Sequence, residues 1–180
     1  MVSQVAERYG QALFELALEM DSLEAWQNQA KGIIEVFKAN PELSDFFNAV
    51  KISSSEKKNL LIRVFENQID KTMLHFLCLL LDKKIINGTK EILGKFILLG
   101  NEERGILNGT VLSARSLSKE EIERIEEAMT VRMNQKTELV NRIDSSLISG
   151  VRVVIGNEVI DGSMKSRIET LKNELLKESR

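Results

Sequence analysis

A single proline stands among 180 residues. That scarcity suits long helices, because proline removes a backbone donor and breaks them. A single cysteine, Cys78, excludes an intramolecular disulfide, so the chain reads as intracellular, or at least as not disulfide-dependent. One histidine, His75, and one thiol cannot make a zinc site of the usual nitrogen-and-sulfur kind. A Ser-His-Asp triad would have to run through His75, whose setting in the apolar run Met73 to Leu81 reads as a buried helix. Glycine-rich phosphate loops of the GxxxxGK[ST] or GxGxxG kind are missing. No catalytic, metal-binding or cofactor-binding residue is therefore expected, and no cofactor. Aromatics make up only 5%, so the core must be mostly Leu, Ile, Val and Ala. Neither sign of charge dominates: 25 Lys and Arg against 27 Asp and Glu leave a net charge of −2. A protein built to grip nucleic acid wants a basic excess. No run approaches the ~20 apolar residues of a bilayer span, and Met1 to Arg8 shows no apolar leader segment.

What is present is apolar patterning. Residues AVILMFWYC make up 43%, enough for a packed core. Up to about residue 105 the period is helical. Ala6, Tyr9, Leu13, Leu16 and Met20 form one stripe, and Leu23, Trp26, Ala30, Ile33 and Phe37 repeat its spacing. Asp21-Ser22 is expected to cap the second helix, and Asn40-Pro41 to end it and open a short third through Phe46 and Phe47. Ser53 and Glu56 fit a capping box before a fourth helix with Leu60, Leu61, Val64 and Phe65. The fifth, Lys71 to Lys84, is apolar nearly all round and is expected at the centre. Asn87-Gly88 precedes a sixth, with Ile92, Leu93, Phe96, Ile97 and Leu99.

After residue 105 the texture changes. Gly105 and Gly109 flank the strand-like run Thr110 to Ala114. Ser118 and Glu121 form a second capping box, before a helix carrying Ile122, Ile125, Met129 and Met133. Leu139 to Ile143 reads as a strand. Val151 to Ile155, Gly156-Asn157 and Glu158 to Ile160 read as a hairpin. Asp161-Gly162-Ser163 turns the chain into a last helix with Met164, Ile168, Leu171 and Leu175, interleaved with Lys165, Arg167, Lys172 and Lys177. The expected fold is mainly α: a six-helix bundle over residues 1–105, then a small α+β domain over 106–180.

Two stretches carry a family resemblance. The first is Val5-Ala6-Glu7-Arg8-Tyr9-Gly10-Gln11-Ala12-Leu13-Phe14-Glu15-Leu16-Ala17, the second Val159-Ile160-Asp161-Gly162-Ser163-Met164-Lys165-Ser166-Arg167-Ile168. At this separation they resemble the two ends of the delta subunit family of the F-type ATP synthase, called the oligomycin-sensitivity-conferring protein in mitochondria. Gly10 stands where the family more often has Ala, and Ser166 where it often has Gly. Gly10 is expected to weaken the first helix slightly.

The resemblance implies a non-catalytic adaptor, present once per complex, that couples proton-driven rotation to ATP synthesis. It implies that residues 1–105 hold the N-terminal helices of the alpha subunits and residues 106–180 the ends of the peripheral-stalk b subunits. It places the chain peripherally, on the cytoplasmic face of a bacterial inner membrane or in an organelle-encoded equivalent. The alpha-helix groove lies, by the same likeness, between the first and fifth helices. Its candidate residues are Tyr9, Ala12, Leu13 and Leu16 with His75, Cys78, Leu79 and Asp82. The stripe through Tyr9, Leu13 and Leu16 has a second reading, as plain intramolecular core. Ile160, Asp161, Gly162 and Ser163 read as a structural strand-to-helix turn. A competing function is a small RNA- or ribosome-associated helical factor, supported by the cationic last helix and opposed by the net charge.

Overall fold

The computed structural model describes residues 4–164, 166 and 168. Of the expected last helix, Leu171, Leu175, Lys165, Arg167, Lys172 and Lys177 lie outside the described residues. The described chain is mainly helical, with a small four-stranded sheet toward its C-terminal end. It divides into two compact units, residues 1–100 and 101–180.

The first unit contains α1 (Gln4–Glu19), α2 (Leu23–Ala39), α3 (Pro41–Asn48), α4 (Ser54–Phe65), α5 (Lys71–Asp82), a 3-10 turn (Ile86–Gly88) and most of α6 (Thr89–Glu103). Helix starts obey local chemistry. Ser53 Oγ accepts from the Glu56 N–H at 3.3 Å, and Glu56 Oε2 accepts from the Ser53 N–H at 3.0 Å, closing the capping box. Such a cap stabilises by about 1 kcal/mol. Pro41 occupies the first turn of α3, where its missing donor costs nothing. Asp70 caps α5 by accepting from the Thr72 N–H at 2.7 Å.

Ser22 departs from the expected cap. It sits at φ −121°, ψ 15° and makes no side-chain cap bond. That backbone is not the extended conformation that aims an N-cap oxygen at the first turn. Its hydroxyl donates to the Met20 carbonyl instead, at 2.9 Å.

One core joins the helices. Phe37 stacks on Phe65 with centroids 6.4 Å apart and tilts against Phe47 at 6.1 Å. Trp26, Leu13, Leu61, Met73, Leu77, Ile92 and Phe96 are buried with them. Burying each such side chain contributes roughly 1.5–3 kcal/mol before chain entropy is charged against it. Two glycines permit close crossings. A Cβ on Gly10 would lie 2.9 Å from Lys95 Cβ and 3.0 Å from the Ile92 carbonyl oxygen of α6. A Cβ on Gly100 would meet the Gln27 amide nitrogen at 2.5 Å. That amide is buried and donates to the Ile97 carbonyl at 3.0 Å, so it cannot easily step aside. Gly10, expected only to weaken its helix, is thus the residue that lets α6 approach.

The expectation for α5 needs correction. Met73, Leu77, Leu80 and Leu81 face the core, but His75, Leu79 and Asp82 are exposed. The helix is an outer wall rather than a central post, and His75 does not sit in a buried setting. A composition rich in Leu could not reveal this, since exposure depends on which neighbours arrive.

The second unit holds β1 (Leu107–Ser113), α7 (Lys119–Met133), β2 (Thr137–Ile143), β3 (Val151–Ile155) and β4 (Glu158–Asp161). The strand order is β2-β1-β3-β4. β1 and β2 run parallel, with Val111 opposite Asn141, so a crossover helix must join them, and α7 does. β1 and β3 are antiparallel, with Val111 opposite Val153. β3 and β4 form the hairpin, turning at Gly156 with φ +56°. Alternation sends Val111, Leu139, Val153 and Ile155 to one face, where Ile122, Ile125 and Met129 of α7 pack on them. β1 begins at Leu107, three residues before the expected run, because its ladder continues past Gly109.

Polar side chains complete this unit. Asn141 donates to the Val111 carbonyl at 3.0 Å and to Ser113 Oγ at 2.7 Å, and accepts from the Leu117 N–H at 2.9 Å. Along β2, Glu126 of α7 accepts the Leu139 N–H at 2.7 Å and Thr130 accepts the Thr137 N–H at 3.0 Å. Backbone donors of a strand that would otherwise invite pairing with another chain are occupied by the chain's own helix.

Candidate functional site

The residues singled out on α1 separate into two groups. Leu13 is 1% exposed and belongs to the core with Ala6, Gly10 and Ala17. Tyr9 and Leu16 are half-buried, packed against the core edge, and Ala12 is exposed. At 3.6 residues per turn, Val5, Tyr9, Ala12, Leu16 and Met20 lie along one flank, spaced i, i+4, i+7, i+11 and i+15. The strip runs for about four turns, or roughly 22 Å at 1.5 Å per residue. Arg8 sits over the Tyr9 ring, 5.0 Å from its centroid, and covers part of the strip's polar border. Val5 belongs to this flank and was not among the sequence candidates, although its spacing from Tyr9 was readable.

On α5 the four expected residues fall on the outward side of the helix, and their surroundings differ across it. Asp82 turns toward α4, where Lys58 Nζ donates to its Oδ2 at 2.7 Å. That bond raises the lysine's pKa above its ordinary value. Cys78 is half-buried beside this pair, and desolvation pushes its thiol up, so it stays protonated and behaves as an apolar filler. Leu79 lies on the other flank with half-buried Phe76 and is 41% exposed. His75 sits between the two flanks, open to solvent. Phe76 was absent from the candidates. Its i, i+3 relation to Leu79 is the signal that could have found it.

The strand-to-helix motif has a defined geometry. Asp161 accepts from the Ser163 N–H at 2.9 Å and from Arg152 Nε at 2.9 Å. Hydrogen bonding from Ser163, and then from Arg152, holds its carboxyl below the ordinary range. Gly162 N–H donates to the Val151 carbonyl at 2.9 Å, and buried Ser163 offers its Oγ to the Ser166 N–H at 3.3 Å. Ile160 is half-buried against the sheet core. These contacts are all internal: they shape a turn and cap the helical residues beyond it.

Among the described residues no three His, Cys, Asp or Glu side chains are grouped to hold a metal. No helix there is long and apolar enough to cross a membrane. What the geometry offers is surface: apolar strips on helix flanks, suited to another helix.

Comparison with known proteins gives consistent likenesses. The family model for the ATP synthase delta (OSCP) subunit matches residues 5–175. The ATP synthase subunit delta of Bacillus thuringiensis (strain Al Hakam) is 36% identical over 174 residues, covering 96% of each chain. The Bacillus anthracis protein of the same description matches to the same extent. Among solved structures, a chain of the Toxoplasma gondii mitochondrial ATP synthase hexamer aligns with a TM-score of 0.69 at 17% identity, covering 97% of this chain and 98% of that one.

Proposed function

Because this chain belongs to the ATP synthase delta (OSCP) subunit family, a non-catalytic part of the enzyme's stator, we propose that its helical unit clasps an alpha-subunit N-terminal helix along the α1 strip. Stator membership means that the subunit joins the catalytic head to the peripheral stalk and so couples proton flow to ATP synthesis. The likenesses give no support to an RNA- or ribosome-associated factor.

In this reading residues 1–105 form a six-helix bracket whose slot is walled by Tyr9, Ala12 and Leu16 on α1 and Leu79 on α5. Leu13 backs the slot from within the core. His75 stands at the rim, and Cys78 and Asp82 belong to the neighbouring wall that faces α4. Residues 106–180 hold the C-terminal ends of the b subunits. One copy serves each complex, bound peripherally at the cytoplasmic face of a bacterial membrane.

One observation carries the proposal: a continuous, half-exposed apolar strip on α1, with the large apolar side chain of Leu79 left 41% exposed on the open side of α5. A joint that resists torque must dissociate slowly, which favours buried apolar anchors over rim charges. An interface of at least ~1,000 Å² is expected for a stable complex.

Titration calorimetry of the full chain with an alpha-subunit N-terminal peptide tests this. Micromolar or tighter binding is expected, weakened at least tenfold by Tyr9→Asp and by Leu79→Asp, with helical circular dichroism unchanged. Full-strength binding by both folded variants would overturn the slot assignment.

A further inference from the structure

We draw no further inference here: the strongest candidate, the valine-rich row of Val140, Thr110, Val154 and Val159 across the sheet face opposite α7, carries nothing because nothing in the structure shows what covers it.

Discussion

Among the described residues of the helical unit the buried side chains are apolar with two exceptions, Gln27 and Thr89; in the sheet unit six buried aliphatics, four of them in one cluster, stand beside four buried polar residues, Asn101, Ser113, Thr137 and Ser163. The first arrangement relies on apolar burial spread over many helix faces. The second relies on a hydrogen-bonded ladder, one helix laid across it, and polar side chains that satisfy strand ends and edges. Apolar packing tolerates sliding along a surface, whereas a hydrogen-bond hub such as Asn141 sets one register. Both designs suit a subunit that transmits force between partners, but they should fail differently.

The sharpest way to break the contrast is to remove a ring from the helical core. Phe96→Ala should cost about 3–5 kcal/mol in urea unfolding monitored by helical circular dichroism, since a buried phenylalanine leaves a cavity among packed helices. In the sheet unit Asn141→Ala should cost about 1–3 kcal/mol, because the Leu117 N–H loses its acceptor and the Val111 carbonyl loses a donor. Amide hydrogen exchange should localise that loss to β1 and β2. If exchange quickens equally in both units, the division into separately stabilised halves is wrong.

A smaller effect is expected at the α1–α6 crossing. Gly10→Ala gains up to about 1 kcal/mol of helix propensity and loses roughly 1–3 kcal/mol to overpacking against Lys95 and the Ile92 carbonyl. A net fall in Tm is predicted, and a rise would mean that α6 moves aside without strain.

The smallest effect concerns acid. Hydrogen bonding from Arg115 holds the Glu121 carboxyl down to about 2, against an ordinary 4.5. A depressed folded-state pKa contributes stability that is present above 4.5 and lost as pH falls through about 2. In Arg115→Gln the Glu121 carboxyl should titrate nearer 4.5 by carboxyl NMR, and the acid unfolding of the sheet unit should begin at correspondingly higher pH. An unchanged titration would show that the capping box alone sets the value.

Much of this architecture was legible because it is local. The capping boxes at Ser53 and Ser118, the proline at the start of α3 and the hairpin at Gly156-Asn157 each depend on residues within one turn of each other. The candidate site was legible only in part. Spacing placed Tyr9, Ala12 and Leu16 on a flank and Leu13 close by, yet only packing distinguishes Leu13, which is buried, from its half-buried neighbours. Asp82 and Leu79 share a helix but face different surroundings, since Lys58 arrives from α4 to claim one of them.

Periodicity and side-chain chemistry by themselves determined where helices and strands form, which residues open them, and that apolar burial drives the fold, because these depend on contacts a few residues apart. Tertiary structure alone decided that α5 keeps one face open, that Gly10 is a crossing point, and that Glu126 and Thr130 occupy two of β2's backbone donors, those of Leu139 and Thr137. Each of those depends on the meeting of segments distant in the chain, and no local pattern encodes which neighbour will come.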